Sequence, residues 1–164
     1  MKQIDELLSK NEESILIYML GIDDGCINAD DIIGLKTLQA NYKFEPSSLL
    51  IVVNNYDAKR DEMLQKDLFN IFNEFVTIDT GKDAVFFLSK MSFNQQSLWD
   101  AIKKRGSSIP VRDSMFSSKL DDIIELRKYV YQVSEKFGIK VKASKSKHEQ
   151  KYVCTFFMLI VIQC

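Results

Sequence analysis

The sequence predicts an α/β fold with a doubly wound, largely parallel sheet, and two patterns carry that prediction. Short runs of Ile, Leu and Val without polar alternation alternate with helical stripes, which is how a sheet covered on both faces is written. Turn and cap residues separate the runs from the stripes.

The first run, Ile15-Leu16-Ile17-Tyr18-Met19-Leu20, stops at Gly21 and at the turn signal Asp23-Asp24-Gly25. Asn28 can then cap a helix whose third position is Asp31, and Ile32, Ile33, Leu35 and Leu38 give that helix an inward stripe. A second run, Leu49-Leu50-Ile51-Val52-Val53, follows Pro46 and ends at Asn54-Asn55. Leu64, Leu68, Ile71, Phe72 and Phe75 recur at i, i+4, i+7, i+8 and i+11, the pattern of an amphipathic helix. The third run, Ala84-Val85-Phe86-Phe87-Leu88, leads into Ser89-Lys90. A helix around Asn94 to Lys104 carries Leu98 and Ile102, with Trp99 beside them. After a loop over 106–115, Ser118 and Asp121 form a second capping box. Leu120, Ile123, Ile124, Val130, Tyr131 and Phe137 then mark a last helix, closed by Gly138.

Composition narrows the function. Of the 164 residues 27% are charged, yet the net charge is −1, which gives no general attraction to nucleic acid. Residues 138–151 carry five lysines against Glu149, a local +4, and read as a solvated linker. The odd set Cys26, Cys154 and Cys164 has no metal-ligand spacing and points to a reducing, cytoplasmic setting. His148 is the only histidine, which removes the Ser-His-Asp and Cys-His arrangements. Asp23, Asp24, Asp30 and Asp31 do not alternate as a calcium loop requires and read as turn and helix cap. Lys103-Lys104-Arg105 reads as a solvated helix end.

Ligands of open α/β sheets bind beyond the carboxyl ends of the strands. There the chain offers Asn54-Asn55-Tyr56-Asp57 after the second strand and Ser89-Lys90 after the third. A carboxylate can accept two hydrogen bonds from the N1–H and 2-amino edge of guanine, which adenine cannot supply. The alternative is an Asx-type turn in which Asn54 and Asp57 only open the next helix.

Asn-x-x-Asp leaving a buried strand resembles the guanine-specificity motif of P-loop GTPases, and Ser89-Lys90 resembles their later Ser-Ala-Lys loop. The stretch 15–43 and the helix over 120–137 are similar to the AIG-type, immune-associated nucleotide-binding (GIMAP-like) G domain. The resemblance covers 1–138 and implies a partial P-loop-GTPase-like sheet of about three parallel strands with an extra C-terminal helix. It implies guanine nucleotide, GTP or GDP, as ligand, touched by Asn54, Asn55, Asp57, Ser89 and Lys90. Asn55 stands where that family usually has Lys, and no Ala separates Ser89 from Lys90. The Gly-x-x-x-x-Gly-Lys-Ser/Thr phosphate loop does not occur, since Gly81-Lys82-Asp83 lacks both the upstream glycine and the hydroxyl that holds Mg²⁺. By this alignment the metal and γ-phosphate element would precede residue 1. The expectation is therefore a truncated, base-recognition half, with weak nucleotide contact, no Mg²⁺ site and no hydrolysis of its own.

Two further expectations concern surfaces. In that family the first strand here would pair with one missing from the chain, leaving an open apolar edge at 15–20 suited to self-association. The apolar tail 152–164 follows the basic linker 139–151. Its core, 152–162, would reach about 16 Å as a helix, while spanning needs about 20 residues. It reads either as a peripheral membrane anchor or as an added strand or incomplete gene product.

Overall fold

The computed structural model describes residues 6, 12–23, 25–57, 62–75, 84–89, 94–112, 120–142 and 158–163. The first apolar run forms β1 (Ser14–Asp23), which continues past Gly21 and turns through Gly25, at φ 70°, into a short β2 (Cys26–Asn28). Helix α1 (Ala29–Asn41) follows, then β3 (Tyr42–Lys43), a single 3-10 turn (Pro46–Ser48) and β4 (Leu49–Tyr56). Helix α2 (Glu62–Phe75) leads to β5 (Val85–Ser89), and α3 (Gln95–Lys103) to β6 (Val111–Arg112). The chain continues through α4 (Leu120–Lys136), β7 (Lys140–Lys142) and β8 (Met158–Gln163).

The main sheet has the order β5-β4-β1-β2-β7, with β8 also on β1. β4 runs parallel to β1, from Leu16↔Leu49 to Gly21↔Asn54, and β5 runs parallel to β4. These are the parallel strands that the apolar runs predict. β3 and β6 pair separately.

Burial on both faces explains why those runs lack polar alternation. On one face Leu16, Tyr18, Leu20, Leu49, Ile51 and Val53 pack against α1, α2 and α4. Ile15, Ile17, Leu50 and Val52 face the other way, toward Leu98 and Ile102 of α3. Each such side chain, fully buried, contributes roughly 1.5–3 kcal/mol. The stripes of α1 and α2 fall inward as their spacing requires, Leu64 being only partly covered. In α4 Val130 and Val133 are buried while Ile124 is exposed, and Trp99 in α3 is 44% exposed.

The caps have clear physical causes. Asn28 Oδ1 accepts from the Asp30 N–H at 3.0 Å, and Asn94 Oδ1 from the Ser97 N–H at 3.2 Å. At the end of α4 Gly138, at φ 70°, donates to the Glu135 carbonyl, and Ile139 donates to that of Ser134. Ser118, the proposed cap of α4, lies outside the described residues, as do Asp24, residues 81–83, Lys90, His148, Cys154 and Cys164.

Three expectations change. Lys140–Lys142, read as part of a linker, is a strand parallel to β2. Val141 packs against the core, and its alternation with two lysines is that of a half-covered edge strand rather than a charge run. The edge of β1 expected to be open is paired over Ser14 to Met19 with β8, antiparallel, because residues of the apolar tail supply the missing backbone partners. Arg105, read as solvated, is buried; its guanidinium donates to the Pro46 carbonyl at 3.1 Å.

Candidate functional site

β1, β4 and β5 end together, so their carboxyl ends form one rim. β1 contributes Gly21 to Asp23, β4 contributes Asn54 to Tyr56 with Asp57 following, and β5 contributes Ser89. The register pairs Gly21 with Asn54 and Tyr56 with Ser89. Of the five residues singled out in the sequence, Asn54, Asn55, Asp57 and Ser89 are thus brought to adjacent strand ends, and Lys90 is outside the described residues.

β4 does not reach this rim as a regular strand. Its register against β5 shifts between Val53 and Tyr56, and within that bulge Asn55 takes φ 62°. The left-handed region is uncommon for residues with a Cβ, and Asn is among the few that enter it readily. The Asn55 N–H donates to Asn54 Oδ1 at 2.8 Å, which holds the bend locally. Tyr56 turns back into the core, 8% exposed, with its ring centroid 4.9 Å from that of Phe87. Phe87 in turn lies 6.1 Å from Phe69 of α2. Bulges re-aim side chains at strand ends. Here the buried Tyr56 anchors the segment between an exposed Asn55 and a half-buried Asp57.

The first turn of α1 adds a residue that sequence reasoning assigned to capping alone. Asp31 is 7% exposed and accepts a hydrogen bond from the Gly21 backbone. Burial raises its pKa from 3.8 to about 6, the Gly21 hydrogen bond opposes that rise, and the neighbouring Asp30 charge adds to it. The Tyr18 hydroxyl donates to the Asp31 carbonyl at 2.6 Å. Asp31 therefore stands directly behind the β1–β4 rim. Its signal was present in the sequence: Asp31, Leu35 and Leu38 recur at i, i+4 and i+7, so the carboxylate shares the inward stripe.

Charges around the rim are paired. Arg127 of α4 meets Asp30 at 2.6 Å, and Lys142 of β7 meets Asp23 at 2.8 Å. Gly21 leaves room: a Cβ built there would meet nothing within 4 Å. At the amino end of α3, which also follows a carboxyl strand end, Asn94, Gln95, Gln96 and Trp99 line an open hollow of about 770 Å³.

The rim presents groups that can hydrogen-bond a polar ligand. It combines amides, a hydroxyl and a carboxylate with an open approach at Gly21. Among the described residues no group of three or more His, Cys, Asp or Glu could hold a metal, and no helix is long and apolar enough to cross a membrane. Comparison of the chain with protein-family models, curated proteins and solved structures finds no match.

Proposed function

We propose that this chain binds the base of a guanine nucleotide at the carboxyl ends of β4 and β5. One observation supports this most: the Tyr56↔Ser89 register sets the Asn-x-x-Asp segment beside Ser89 in space, not only before it in sequence. In this reading Asp57 accepts from the base N1–H and 2-amino group, the Asn54–Asn55 bulge sets its approach, and Ser89 and Lys90 border the base. The sequence has no phosphate loop, so affinity rests on the base, and phosphoryl transfer is not part of the proposal.

Asp57→Asn tests the assignment. The variant puts an amide donor near the guanine 2-amino group, whereas xanthine carries a carbonyl there. Losing hydrogen bonds to a charged partner costs about 1.5–3 kcal/mol, about tenfold to a hundredfold in affinity. Guanine binding should fall by that factor and the preference should move toward xanthine nucleotides, read by competition. If Asp57 only shapes the turn before α2, stability changes slightly and the guanine-to-xanthine ratio stays where it was.

A second reading, an α/β interaction module that takes no nucleotide, is favoured by a separate observation. The antiparallel β8 on β1 means that the sheet can accept an added strand.

A further inference from the structure

β8 is held differently from the other strands of its sheet. β5 and β7 each follow a described helix, β4 follows the 3-10 turn over Pro46–Ser48, and β2 follows β1 through the Gly25 turn. Among the described residues β8 pairs with β1 alone, from Ser14↔Gln163 to Met19↔Met158. The fifteen residues 143–157 separate it from β7. Met158-Leu-Ile-Val-Ile-Gln163 contains no charge, proline or glycine. An unpaired run of that kind is prone to edge-to-edge association, and so is the β1 edge that it covers. Each masks the other.

We propose that the β1 edge is a strand-acceptor site and that a second copy of this chain can fill it with its own residues 158–163, giving a reciprocal strand-exchanged dimer. Exchange replaces every backbone pair with an identical one, so the contacts themselves favour neither form. The connection decides between them. Fifteen residues reach at most about 50 Å, which is long enough for a strand to cross to an adjoining molecule. A short connection presents the chain's own strand at an effective concentration of about millimolar. Exchange therefore competes when the protein folds at comparable concentration, and an exchanged dimer persists on dilution because the six pairs at each of its two sites must open before it separates.

The test uses the full chain in two differently tagged forms, denatured, mixed and refolded at about micromolar and about millimolar concentration. Mixed-tag dimers should appear at the higher concentration only, outlast dilution, and be prevented by an excess of a lysine-flanked peptide carrying residues 158–163. Ser14 directs its N–H and C=O to Ser108, so in this register it is Ile17↔Ile160, not Leu16↔Val161, that exchanges hydrogen bonds between β1 and β8. A second arm therefore uses Ile160→Pro, which removes a ladder N–H in β8 and leaves the acceptor strand unaltered. That variant should bind the labelled peptide saturably, and the monomeric wild type should not. Absence of mixed dimers after refolding at the higher concentration overturns the proposal. So does equal peptide binding by wild type and variant. Should Ile160→Pro fail to fold, the tag-mixing result decides alone. Flotation of the monomeric wild type with vesicles of mixed neutral and anionic phospholipid would instead assign 158–163 to a lipid surface and count against exchange. None of these outcomes depends on nucleotide binding.

Discussion

Asp31 is the residue whose chemistry departs furthest from its ordinary state. A carboxyl whose folded pKa lies above its unfolded value binds more protons when folded. Its effect on stability therefore worsens as pH rises from 3.8 to about 6. Above that window the ionised group costs at most about 3 kcal/mol, from a shift of roughly two units at 1.36 kcal/mol each. Asp31→Asn keeps an acceptor for the Gly21 N–H and removes the charge. The variant should be more stable than wild type near pH 8, and its stability should change less between about pH 4 and about pH 6. Urea midpoints across that range measure both. A variant less stable at every pH would mean that the carboxylate is worth more as an acceptor than burial costs it. Asn55 is the other unusual residue. At φ 62° a β-branched side chain is strained, so Asn55→Val should destabilise the fold by about 1–2 kcal/mol and Asn55→Gly should not. Equal midpoints for the two variants would argue against the left-handed bulge.

At the scale of elements, α1 joins the most parts. It packs on the sheet, its Asp30 meets Arg127 of α4, and its cap residue Asn28 ends β2. Asn28→Ala leaves the Asp30 N–H without its side-chain acceptor and should cost about 1 kcal/mol. A chemical-denaturation midpoint reads that loss, and no loss would show that water replaces the cap. The elements differ in how plainly they were written. α2 needed no more than its i, i+4, i+7, i+8 and i+11 stripe, because a helix carries its own backbone hydrogen bonds and asks the sequence only for a buried side. β2 and β7 each have three residues, too few for a period to show, and they exist because β2 pairs with β1 and β7 with β2. The polar ends of β7 made it look like linker, and only Val141 between them hinted otherwise.

For the whole molecule, the proposed site predicts a particular ligand profile. If affinity rests on the base, GTP, GDP and guanosine should bind within about tenfold of one another. Mg²⁺ should make little difference. Isothermal titration of all three tests this, and nanomolar, Mg²⁺-dependent binding of GTP alone would refute the base-directed site. Guanosine binding without any guanine preference would leave the rim as a binding surface but remove Asp57 from recognition.

The sequence by itself determined what depends on local pattern. It set three strands covered on both faces, the inward stripes of α1 and α2, and the caps at Asn28 and Gly138. It also set which polar residues leave β4 and β5. Tertiary structure alone decided which backbones pair. It placed β8 along β1, β7 beside β2, and Asn54 opposite Gly21 with a bulge before Tyr56. It also decided that Arg105 is buried and that Gly21 faces Asp31. The reason is physical: every residue but proline offers the same N–H and C=O, so a ladder is nearly blind to side-chain identity. Burial, likewise, is a property of the neighbours that the finished fold brings up: the Asp31, Leu35 and Leu38 stripe hinted which way the aspartate faces, and only the fold put the Gly21 N–H before it.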